Sequence, residues 1–95
     1  MKILTIGKTN FNLDNIVNIE FIDANFNEGA GFSVRVQTDS DDITRCFTPK
    51  DFPTKNVNAA SAQMAFNLAM RHMREDKVYN IILDNYLPPN LSSLL

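Results

Sequence analysis

The sequence predicts an α+β protein. An antiparallel sheet of three to five strands over residues 2–48 is packed by one long helix over about 57–74, and a short apolar element follows over about 77–87. Three observations carry this reading. Residues 2–48 place β-branched and aromatic residues in runs that alternate with polar ones, the period of a half-buried strand. Pro49 and Pro53 then interrupt the chain, and neither can donate a ladder hydrogen bond. Beyond them the composition shifts to Ala, Met, Leu and Gln, which favour helix.

Lys2 to Ile6 is a short apolar run that stops at Gly7-Lys8-Thr9-Asn10, a turn sequence. Phe11 and Leu13 fit a brief strand pairing back on it. Ile16 to Ile22 follows, with Val17, Ile19 and Phe21 expected on one face and Asn18 and Glu20 on the other. Ala24 to Gly31 is polar, contains two glycines and reads as a loop. Phe32, Val34 and Val36 then alternate with Ser33, Arg35 and Gln37, the cleanest strand pattern in the chain. Ser40-Asp41-Asp42 reads as a turn, since Ser and Asp side chains can bond nearby backbone. Ile43 to Phe47 forms the next strand, with Ile43, Arg45 and Phe47 facing one way and Thr44, Cys46 and Thr48 the other.

Asn56 or Asn58 is suited to cap the helix, and Arg71, Arg74 and Lys77 complement its carboxyl-terminal dipole. At about 100° per residue, Ala59, Ala62, Phe66, Ala69, Met70 and Met73 form a sheet-facing stripe. Val57, Met64 and Leu68 fall nearly opposite, which a single sheet cannot cover; either the 78–87 segment packs on this stripe and completes the core, or part of it stays exposed for a partner. The apolar run Val78 to Leu87 is read as helix in preference to strand, because it lacks strict alternation. One domain spans residues 1–95, with 88–95 expected as a mobile or partner-docked tail.

Composition narrows the function. With 44% hydrophobic residues the chain can bury a core. A formal charge of -2 argues against a general nucleic-acid binder and against a dense acidic decoy. Cys46 is the only cysteine, so no disulfide forms within the chain. No apolar run approaches the roughly 18–20 residues of a membrane span, and no leader pattern opens the sequence. A cytoplasmic location is expected, with no membrane partner.

No catalytic or metal-binding pattern emerges, and no cofactor is expected. His72, the one histidine, lacks an identifiable nucleophile or orienting carboxylate and reads as a solvated surface residue. Cys46 reads as a small buried strand residue and not as a nucleophile. Asp39, Asp41 and Asp42 crowd one turn but lack the ordered series of a calcium loop. Gly29-Ala30-Gly31 joins two strands, whereas a phosphate-cradling loop opens a helix.

Charge is uneven. Residues 1–44 hold three basic residues against seven carboxylates, and 45–77 hold six against three. Arg45, Lys50, Lys55, Arg71 and Arg74 could therefore build a basic face, and the 45–77 segment leaves weak nucleic-acid binding as one alternative. A second alternative is a small-ligand binder or simple enzyme with a pocket between sheet and helix, using Cys46, Arg45 or His72.

The favoured expectation is a non-enzymatic module that binds another protein or a second copy of itself. Its surface would be Val57, Met64 and Leu68 with the apolar tail residues Leu91 and Leu94. In length, mild acidity and sheet-then-helix order, the chain resembles small inhibitors that phages and mobile elements direct at bacterial defence systems. The resemblance is one of size and element order, carries no motif, and implies a protein target.

Overall fold

The structure, a computed structural model, describes residues 1–26 and 29–90. Among them the chain forms strands β1 (Ile3–Ile6), β2 (Thr9–Asn12), β3 (Ile16–Phe26), β4 (Gly29–Thr38) and β5 (Asp42–Phe47). Helix α1 (Ala59–Glu75) and strand β6 (Asn80–Ile82) follow, and 3₁₀ turns cover Pro49–Asp51 and Leu83–Tyr86. The α+β class is the one the sequence predicts. The strands, however, divide into two three-stranded sheets, β2-β1-β6 and β3-β4-β5.

In the first sheet, alternation along β1 buries Leu4 and Ile6 completely. The β1–β2 hairpin pairs Ile6 with Thr9 and turns through Gly7, whose φ of +58° suits a residue without a Cβ. On the other side β1 pairs in parallel with β6, Leu4 opposite Ile81. The apolar run after the helix is therefore strand and then 3₁₀ turn, which differs from the helix expected. The free edge of β1 selects it. Asn80–Ile82 fills that edge, and Ile81 and Leu83 enter the core.

The second sheet is an antiparallel meander. Its ladder between β3 and β4 continues through Ala24 opposite Gly31 to Phe26 opposite Gly29, so most of the expected loop is strand. A register shift between Ile16 and Asn18 leaves Val17 unpaired and 72% exposed. This bulge corrects the expected face. Ile16, Ile19 and Phe21 pack on the core, and Val17 points to solvent. At the β4–β5 turn the Thr38 hydroxyl accepts the backbone N–H groups of Asp41 (3.0 Å) and Ser40 (3.3 Å).

Helix α1 begins where Asn58 Oδ1 accepts the Ser61 N–H at 2.8 Å and Ser61 Oγ accepts the Asn58 N–H at 3.0 Å. It buries Ala62, Ala65, Phe66 and Ala69. The small residues let the helix approach the sheet closely, and Phe66 reaches Phe21 with ring centroids 5.6 Å apart. Phe32 sits amid Phe21, Phe47 and Phe52 at 5.2, 5.3 and 6.0 Å, and Phe11 meets Phe47 at 6.3 Å. These rings join both sheets, the helix and the Pro49–Asp51 connection into one core.

After the second 3₁₀ turn, the backbone returns along residues 54–56. Asn56 N–H donates to the Pro88 carbonyl at 2.9 Å and Asn90 N–H to the Thr54 carbonyl at 3.0 Å. Residues 88–90, the start of the tail expected to be mobile or partner-docked, are thus fastened to the domain, and residues 91–95 lie outside the described residues. No helix among the described residues is long and apolar enough to cross a membrane.

Candidate functional site

The outer face of α1 carries Met64, 65% exposed, and Leu68, 44% exposed, one turn apart. Gln63 and Asn67 flank them and bond each other at 3.1 Å. Val57 does not join this stripe, which corrects the expected set. It precedes the Asn58 cap, outside the helix, where an apolar residue folds inward to brace the first turn, and it is only 9% exposed. Leu91 and Leu94 lie outside the described residues.

His72 is not the isolated surface residue expected. The 3₁₀ turn brings the Tyr86 hydroxyl to 2.5 Å from His72 Nδ1, and Asp76 Oδ2 lies 3.6 Å from Nε2. A helical spacing of four supplies the carboxylate and the chain's return supplies the phenol. The trio borders none of the recesses described below. It ties the last turns of α1 to the Leu83–Tyr86 turn.

Cys46 is exposed on edge strand β5, correcting its expected burial, with Sγ 3.1 Å from Ser33 Oγ. Phe47 faces the core as its alternation predicts, which turns the neighbouring Cys46 to the solvent face of the sheet. Cys46 and His72 thus engage different neighbours. Asp42 forms a two-pronged pair with Arg35 at 3.0 and 2.7 Å. The Arg35 hydrogen bond holds the Asp42 carboxyl below the usual carboxylate range, and Arg35 is raised in turn. Among the described residues no group of three or more His, Cys, Asp or Glu side chains could hold a metal ion.

The residues of the expected basic face are carried by separate elements. Lys50 is exposed on the 3₁₀ turn Pro49–Asp51, Lys55 is half-buried and pairs through its backbone with Pro89, and Arg71 is exposed on α1. Arg45 borders a recess of about 430 Å³ between β2 and the β4–β5 turn, together with Asp14, Asp39 and Asp41. Arg74 borders a different recess, of about 420 Å³, between the end of α1 and the start of β3.

In this second recess the cations near Arg74 are Lys2 and Lys77, neither of them in the expected basic face. Leu13, Ile16, Ile19, Met70 and Met73 make its floor. Lys2 Nζ stands 5.4 Å from the centroid of the Tyr79 ring, which also lines the rim. No sequence spacing links Lys2 to residues 74–79. The strand pairing of β1 with β6 brings them together, anchored by the Ile3 N–H donating to the Tyr79 carbonyl at 2.7 Å.

No protein-family model, curated protein or solved structure matches this chain.

Proposed function

We propose that the protein acts by occupying the surface of another protein, or of a second copy of itself, and not by transforming a substrate. The observation that supports this reading is the pair Met64 and Leu68, left exposed on a helix whose Ala62, Ala65, Phe66, Ala69, Met70 and Met73 pack inward. Full burial of a Met or Leu side chain contributes roughly 1.5–3 kcal/mol. Scaled by exposures of 65% and 44%, covering both contributes roughly 2–3 kcal/mol. A micromolar complex requires about 8 kcal/mol. The pair is thus an anchor within a larger contact, and the edges of β5 and β6, unpaired among the described residues, offer further backbone donors and acceptors. A phage-type inhibitor of a defence complex is one setting in which such a module would work.

The test compares the natural protein with a Met64→Asp/Leu68→Asp variant. Sedimentation velocity reads self-association, and affinity capture from the producing cell reads a protein partner. Loss of either interaction in a variant with an unchanged melting temperature is the expected result. A natural protein that sediments as a strict monomer at high concentration and captures nothing specific refutes the proposal.

A further inference from the structure

The recess at the carboxyl end of α1 combines an apolar floor with a rim of one charge sign. Leu13 is closed off at 2% exposure, whereas Ile16, Ile19, Met70 and Met73 pack on the core but stay only partly covered. Methionine side chains are unbranched and adapt to apolar bodies of varied shape. At about 420 Å³ the space lies within the roughly 300–1,000 Å³ typical of small-ligand sites.

Lys2 reaches this rim from the start of β1, and Arg74 and Lys77 from the end of α1 and just past it, and no carboxylate lines it. Asp14, just after β2, accepts the Lys2 backbone N–H at 2.9 Å and borders an adjacent hollow. Asp76 stands beside His72. Among the described residues no ion pair involves Lys2, Arg74 or Lys77. Three like charges around an apolar floor repel one another unless an anion joins them.

Lys77 adds a separate observation. It follows the helix cap with φ at +55°, a position where glycine is the usual residue. The chain thus keeps a long cationic side chain on this rim at a cost in backbone conformation.

We infer that this recess binds a small anionic amphiphile, a carboxylate carried on an apolar chain. Its apolar body would lie on Met70, Met73, Ile16 and Ile19. Its carboxylate would meet Arg74, whose planar fork suits two oxygens, with Lys2 and Lys77 alongside. A nucleic acid fits less well, because Tyr79 is the only aromatic ring in the lining and Lys2 already covers it.

Isothermal titration with decanoate, below its micelle concentration, tests this against decanol, which has the same chain and no charge. Saturable one-to-one binding of decanoate is expected, with decanol about tenfold weaker or more. Arg74→Glu should weaken decanoate about tenfold and leave decanol within a factor of about three. Lys77→Gly separates ligand contact from structure, because it should hold or raise the melting temperature while weakening decanoate. Met64→Asp/Leu68→Asp should leave the decanoate affinity unchanged, so this site stands or falls apart from the helix stripe. The inference is overturned if the natural protein gives no saturable decanoate heat, or if decanol binds equally well. It is also overturned if Arg74→Glu and Lys77→Gly both bind decanoate as the natural protein does.

Discussion

Replacing Gly7 by Ala isolates the energetic role of one backbone angle. At φ +58° an L-residue loses roughly 1–2 kcal/mol relative to a right-handed conformation. A Cβ at this position would come no closer than 3.6 Å to the Asp51 carbonyl oxygen, ordinary van der Waals contact, so no steric term is added. Against this, Ala narrows the unfolded ensemble and returns roughly 0.4–1 kcal/mol. The net is a destabilisation of about 1 kcal/mol, which lowers the melting temperature by about 4–8 °C in a domain of this size. Differential scanning calorimetry and urea titration of both proteins measure it. Gly7→Asn should cost less than Ala, because Asn tolerates the left-handed region better. A loss above about 3 kcal/mol would show that steric collision dominates, beyond the conformational term. No loss at all would show that the hairpin turns some other way. Either result refutes the reasoning.

Phe32→Ala empties the centre of the aromatic cluster and should cost about 3–5 kcal/mol by urea denaturation, a large share of the ~5–15 kcal/mol such a domain holds. Tyr86→Phe removes the hydroxyl that meets His72 and should cost about 0.5–1.5 kcal/mol, with hydrogen exchange rising first at residues 83–86 and not in β4. The Asp42 carboxyl, lowered by Arg35, supports the fold above its unfolded pKa, and that support is lost as pH falls through its folded value. Its NMR titration midpoint should therefore rise towards the ordinary aspartate value in Arg35→Gln, and added salt should shrink the difference because the pair is exposed.

The part of this fold legible in the sequence is the part that local periodicity records. Phe32, Val34 and Val36 alternate because one face of β4 is buried, and they are buried as their pattern predicts. Asn58 caps α1 through a contact three residues away, so its role needs no distant partner. The stripe through Ala62, Phe66 and Ala69 marks the inward side of the helix on the same grounds. The same wheel marks Met64 and Leu68 as outward apolar residues, whereas Val57 falls on it only if the helix is extended past its cap.

Long-range packing decided the rest. The alternation of Val17, Ile19 and Phe21 suggested one continuous face, but the register with β4 inserts a bulge and turns Val17 out. The run Val78 to Leu87 is apolar enough for helix or strand, and the open edge of β1 chooses strand for Asn80–Ile82. His72 gains Tyr86, and Arg74 gains Lys2, through chain reversals that leave no trace in spacing. Side-chain pattern states which faces avoid water, a property of each segment alone. Which faces then meet depends on edges, volumes and charges contributed by distant segments. Local pattern therefore accounts for the strands before Pro49 in outline and for α1 with its inward stripe, whereas distant contacts set the strand at Asn80–Ile82, the length of the β3–β4 ladder, the two-sheet division and the convergence of cations at the end of the helix.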